Sequence, residues 1–134
     1  MSDTIVVGFI RTPEGEAAVD AAVEEVRRRG GRLVVVHSAK GGEQDVETVM
    51  ADREALEALE QRLHGDGVEV VVRDFARGND PAEDLVDIAN SEQAALIVIG
   101  LRRRSPVGKL LMGSNAQQIL LTADCPVLAV KAAG

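Results

Sequence analysis

Short uninterrupted apolar runs alternate along the chain with longer stretches in which apolar residues recur every three or four positions. Residues 5–10 form the first run; without polar alternation, it predicts a strand buried on both faces. Thr12 then offers an N-cap and Pro13 the first helical position. Val19, Ala22, Val23 and Val26 follow on one helix face. Arg27, Arg28 and Arg29 complement the dipole of the last turn, and Gly30-Gly31 ends the helix. Residues 33–36 are the second strand, reaching toward His37 and Ser38. A surface loop with Gly41-Gly42 leads to a longer helix carrying Val49, Leu56, Leu59 and Leu63 on one face and ending near residues 65–67. Residues 68–72 are the third strand.

Asp80-Pro81-Ala82-Glu83 combines a capping carboxylate, a proline at the first helical position and a glutamate at the third, so a helix starts there. Leu85, Ile88 and Ala89 make its apolar face. Residues 96–99 are the fourth strand, ending at Gly100; Ala116, Ile119 and Leu120 mark a short helix, and residues 127–130 a last strand. Strands and helices alternate throughout, which predicts an α/β fold with a parallel sheet and helices on both faces. No repeat or linker interrupts it, so residues 1–134 read as one domain.

Composition narrows the function. Phe9 and Phe75 are the only aromatic residues besides two histidines, which leaves no stacking platform for single-stranded nucleic acid. A net charge of −7 opposes general affinity for DNA, RNA or anionic membranes. No apolar segment approaches the roughly 18 residues needed to span a bilayer, and the N-terminus lacks the charged region of a signal peptide. One cysteine, Cys125, fits a reducing compartment, so the chain reads as cytoplasmic.

Against that acidic background, Arg102, Arg103, Arg104 and Lys109 form a basic island between Gly100 and Gly113-Ser114. Glycines let backbone N–H groups approach a ligand. A helix opening at Ser114 points unpaired N–H groups and a positive dipole end into the loop. Arginines match phosphate geometry. Together they predict an anion site for the phosphates of a nucleotide. A Walker A motif is excluded: Arg103 stands where its first glycine is needed, and Leu110 follows Lys109 in place of Ser or Thr.

These residues resemble the universal stress proteins over essentially the whole chain. The nucleotide-binding members carry G-x2-G-x9-G-[ST] after the fourth strand, and Gly100-x2-Arg103-x9-Gly113-Ser114 keeps every marker but the second. Gly8, Thr12-Pro13, Val36-His37-Ser38 and residues 124–130 are similar to further stretches of the family. The resemblance implies a doubly wound, Rossmann-like sheet of order 3-2-1-4-5, with ATP or AMP bound where the order reverses, between strands one and four. It nominates Ile10, Thr12, Ser38, Gly100, Arg102, Arg103, Gly113, Ser114 and Asn115 as nucleotide contacts. It also implies a homodimer in which the last strands, with Val127, Leu128 and Val130, meet antiparallel. Ile10 replaces the family's aspartate, which removes a polar contact to the nucleoside and weakens the case for a tightly held Mg2+ beside ATP.

Other polar residues read as structural. His37 is a hydrogen-bonded strand-end residue, and His64 lies near a helix C-terminus. Cys125 is a small apolar residue at a turn. Glu43, Asp45, Glu47, Asp52, Glu54, Glu57 and Glu60 form an exposed helix surface. No nucleophile has a base and an orienting group nominated beside it. The chain therefore reads as a nucleotide-binding regulatory module acting on a partner in stress or transport control. The alternatives are a slow ATPase or autophosphorylating enzyme, and a dimeric interaction protein without a nucleotide.

Arg103 either holds phosphate or obstructs it, and the two predict opposite results. If it holds phosphate, Arg103→Ala lowers affinity for ATP more than for adenosine, since a charge-assisted hydrogen bond contributes about 1.5–3 kcal/mol. Tighter ATP binding by the variant in calorimetry would show obstruction instead.

Overall fold

A computed structural model describes residues 3–38, 45–75, 80–101 and 113–132. The strands are β1 (Thr4–Gly8), β2 (Arg32–Ser38), β3 (Val70–Phe75), β4 (Leu96–Leu101) and β5 (Val127–Lys131). The helices are α1 (Pro13–Arg29), α2 (Val46–Gly65), α3 (Pro81–Ser91) and α4 (Ser114–Thr122). All strand pairs are parallel, in the order β3-β2-β1-β4-β5. That is the expected doubly wound α/β sheet.

Two-residue alternation divides the central strands between two cores. Ile5, Val7, Leu33, Val35, Leu96 and Val98 face α1 and α2, whose Val19, Ala22, Val26, Leu56, Leu59 and Leu63 cover them. Val6, Val34, Val36, Ile97 and Ile99 face α3 and α4, meeting Ala82, Leu85, Val86, Ala89 and Ile119. Because β1, β2 and β4 are buried on both sides, their sequences are continuous β-branched and Leu/Ile runs.

The caps form as expected. Thr12 accepts from the Gly15 N–H at 3.1 Å. Asp80 accepts from the Ala82 N–H at 3.0 Å. Gly30, at φ 70°, ends α1 in the left-handed conformation, its N–H bonded to the Val26 carbonyl.

Several boundaries move. β1 stops at Gly8 instead of residue 10: the Phe9 N–H still reaches the Val36 carbonyl at 2.9 Å, but the Ile10 carbonyl accepts from Thr12 in a tight turn. β3 starts two residues later and runs through polar Arg73 and Asp74. As an edge strand it needs no continuous apolar run there, and its pairing with His37 and Ser38 of β2 sets its length. Val49, expected on the buried face of α2, is exposed together with Val46 and Met50; burial begins only at Leu56. Of the three residues that marked α4, Ala116 and Ile119 face the core, and Leu120 is exposed.

The start of α1 sits directly on the end of β4. A Cβ built at Gly100 would lie 2.3 Å from the Glu14 carbonyl oxygen, a backbone atom that cannot rotate aside. Gly100→Ala should therefore lower stability in urea by about 2 kcal/mol or more, in the range of overpacking substitutions; an unchanged midpoint would contradict this close approach.

Candidate functional site

The chain leaves β1 toward β2 and β3, then crosses back to β4 and β5. The order therefore reverses between β1 and β4, and a crevice opens beyond their C-terminal ends, where such sheets place their ligands. A cleft of about 150 Å³ lies there. Gly8 at the end of β1, Phe9 after it, and Ile99 and Gly100 of β4 line its floor, with Ile10 at its edge. Val36 and Ser38 of β2 and Pro81, Ala82 and Leu85 of α3 form one wall, and Asn115, Ala116 and Ile119 of α4 the other. Most of these side chains are apolar; only Ser38 and Asn115 bring polar groups among the described lining residues.

The helix termini around this cleft differ electrostatically. The starts of α1 and α3 are occupied by the side chains of Thr12 and Asp80 and carry Glu14, Glu16, Glu83 and Asp84 in their first turns. The start of α4 has Gly113 as its N-cap, with no capping side-chain hydrogen bond and no acidic residue in the first turn. Its N–H groups, without a side-chain cap, and its dipole favour an anion, whereas the acidic start of α3 repels one. Gly113 adopts an extended conformation open to any residue, and no described atom lies within 4 Å of where its Cβ would be. Neither backbone strain nor described packing calls for a glycine there.

Of the sequence-nominated contacts, Ile10, Ser38, Gly100 and Asn115 line the cleft. Gly113 and Ser114 sit at the start of α4 beside it. Thr12 is engaged in capping α1. Arg102 and Arg103, with Arg104 and Lys109, lie outside the described residues. Ile10 is 48% exposed, so an apolar side chain forms the lip of the cleft. The Ser38 hydroxyl donates to the Asp84 carboxylate at 2.6 Å. Sequence reasoning took Asp80 to Glu83 for a helix start but missed that α3 is a cleft wall, and it missed Asp84. Leu85 and Val86, flanked by Glu83, Asp84 and Asp87, give no local signal of it.

Beside the cleft a polar network ties β2, β3, α2 and the turn after β1. His37 is buried, with Nδ1 2.9 Å from the Asp74 carboxylate and Nε2 3.4 Å from that of Asp52. The Arg11 guanidinium donates to Asp52 at 2.9 Å. His37 is thus the hydrogen-bonded strand-end residue expected, while Asp52 departs from the exposed acidic surface assigned to it, its side chain being 16% exposed. His64 lies 3.8 Å from Glu60 at the exposed end of α2. Burial, and then the charge of Asp124, push the Cys125 thiol above its ordinary range, which keeps it in the unreactive protonated form at neutral pH. Among the described residues no group of three or more His, Cys, Asp and Glu could hold a metal ion, and no helix is long and apolar enough to cross a membrane.

Sheet order and cleft position put the chain in the class of doubly wound α/β domains. A model of the universal stress protein family matches residues 1–131, and the chain belongs to that family. It is 42% identical to a universal stress protein of Mycolicibacterium smegmatis over 97% of this chain and 98% of that one. A universal stress protein structure from Archaeoglobus fulgidus superposes with a TM-score of 0.83 at 36% identity, covering 98% of this chain and all of the other. A second from the same organism, in complex with dAMP, superposes with a TM-score of 0.74 at 30% identity, covering 98% of each chain.

Proposed function

We propose that this chain binds an adenine nucleotide, ATP or AMP, in the cleft beyond β1 and β4, and acts as a cytoplasmic regulatory module whose occupancy is read by a partner protein. The observation that carries the proposal is an apolar cleft ending at the one described helix start that has no side-chain cap. Phosphate fits the N–H groups of α4, and a purine fits the apolar walls. The dAMP complex of the Archaeoglobus fulgidus relative supports the same ligand class. No carboxylate lines the described cleft, so Mg2+ would arrive coordinated by the triphosphate and not by a protein anchor.

Mass spectrometry of nucleotide that co-purifies with the protein, followed by calorimetry with ATP and AMP, tests this reading. Failure of any adenine nucleotide to bind would favour an interaction protein without a ligand. Turnover of labelled ATP beyond a few events per hour would favour an enzyme.

Gly113→Val gives a sharper test. The substitution should cost about 1 kcal/mol or less of helix capping and leave the fold intact, because the described surroundings are open. It should nonetheless weaken nucleotide binding more than tenfold, about 1.4 kcal/mol, by screening the N–H groups of α4. Unchanged affinity would remove the phosphate site.

We further propose a homodimer through β5. This strand ends the sheet and pairs only with β4. Leu128 is exposed and Val127 and Val130 are half-buried, an apolar edge that is a liability if left unpaired. An antiparallel pairing of two such strands across a two-fold axis would close both edges. Val130→Pro or Val130→Lys should give monomers or insoluble protein in sedimentation. A wild-type monomer at micromolar concentration, or a stable Val130→Pro dimer, would overturn this arrangement.

A further inference from the structure

Of the two histidines, His37 is buried and presents both ring nitrogens to carboxylates, whereas His64 is exposed. Nδ1 lies 2.9 Å from Oδ1 of Asp74, and Nε2 lies 3.4 Å from Oδ2 of Asp52. A carboxylate at neutral pH only accepts hydrogen bonds, so the short contact to Asp74 requires a ring proton on Nδ1. That proton stays in place in either charge state of the ring. Nε2 is the atom that changes. In the imidazolium it points a proton at Asp52; in the neutral ring it turns a lone pair toward the same carboxylate. Attraction across that contact then becomes repulsion.

The two carboxylates belong to different parts of the molecule. Asp74 lies directly opposite His37 in the paired strands β2 and β3, so the sheet itself keeps that contact closed. Asp52 belongs to the first half of α2, ahead of the first buried side chain of that helix at Leu56. Its Oδ1 accepts from the Arg11 guanidinium at 2.9 Å. The carboxylate therefore sits between two cations when the ring is charged and keeps one when it is not. Among the described residues no other charged group pairs with the ring. β1 brings Phe9, whose ring centroid is 6.5 Å away, and the neighbouring Ser38 hydroxyl is engaged with Asp84. Glu16 and Asp20 of α1, with Arg62 of α2, line a groove beside Phe9 and Arg11 but make no ion pair with His37.

We infer that Nε2 of His37 is a proton-operated latch between α2 and the sheet. Protonated, it holds Asp52 and the first half of α2 in place; deprotonated, it lets that segment go while the ring stays fastened to β3. The order of release follows from the geometry: the Asp74 contact is the shorter and lies between paired strands, and the Asp52 contact is the longer and belongs to a sparsely buried helix segment. His37 is not among the residues that line the cleft, so this proton site stands apart from the proposed nucleotide site.

The test is NMR of the isotope-labelled full chain between about pH 5 and about pH 8, where imidazole side chains change charge. Ring nitrogen shifts read the proton on each nitrogen of His37 separately. Backbone order parameters read α2 over residues 46–53; rigid backbone gives about 0.85 and flexible backbone less than about 0.6. As pH rises, the wild type should lose the Nε2 proton and keep the one on Nδ1. Order parameters over residues 46–53 should fall from the rigid toward the flexible value with the same midpoint, while those of β3 stay high. A histidine that only fills space would move neither with pH. Asp52→Asn removes the charge that Nε2 faces, so the order of α2 should no longer follow the ring. His64→Gln should leave the response intact. The latch is overturned by a neutral ring protonated on Nε2, by a His37 ring that does not titrate in this range, or by α2 order that ignores its titration. A response that survives Asp52→Asn, or disappears in His64→Gln, overturns it equally.

Discussion

Backbone touching backbone at the turn after β1 is the constraint on which the rest of the molecule depends. A Cβ at Gly15 would fall 1.9 Å from the Ile10 carbonyl oxygen, and one at Gly100 would fall 2.3 Å from that of Glu14. Two glycines thus let the start of α1 fold back on its own turn and lie against the end of β4. This contact fixes the lip of the cleft at Ile10 and joins β1 to β4 where the sheet reverses. Bulk at either position would push apart the strand ends that form the floor, whatever ligand occupies it.

Around that contact, chemistry is divided by position. The acidic surplus gathers on helix surfaces and in the first turns of α1 and α3, where it complements those dipoles. The start of α4 is left without either an acidic residue or a side-chain cap. An acidic protein can thereby keep one place attractive to an anion. Among the described lining residues, the side chains of the cleft are apolar except for Ser38 on one side and Asn115 on the other. A ligand that is apolar in the middle and polar at both ends fits such a surface.

Most of the fold was legible in the sequence because buried parallel strands must be apolar throughout. Residues 5–8, 33–36 and 96–99 could be read directly as central strands. Capping residues placed the starts of α1 and α3 for the same local reason that they stabilise them. Edges were less legible: β3 continues through Arg73 and Asp74 because β2 pairs with it, and nothing local announces that. Helix periodicity overreached at Val49, an apolar residue in phase with the core but past the surface that would cover it. In the site, glycines and helix starts were visible from sequence. Pairs brought together by the sheet, Ser38 with Asp84 and His37 with Asp52 and Asp74, join residues far apart along the chain and were not.

The early turns of α2 carry a consequence for how the protein breathes. Val46, Val49 and Met50 are exposed, and this helix gains its first buried side chain only at Leu56. Before that point, the described contacts that tie it to other elements are the packing of Ala55 against the core and the pairs made by Asp52 with His37 and Arg11. Partly exposed ion pairs of this sort contribute roughly 0–1 kcal/mol each. The first half of α2 is therefore a low-energy opening unit, whose amides should exchange with solvent well before those of β1 and β4. Arg11 adjoins Ile10, so fraying of α2 also releases the residue next to the cleft lip. Motion at a helix with no residue in the cleft is in this way transmitted to its entrance.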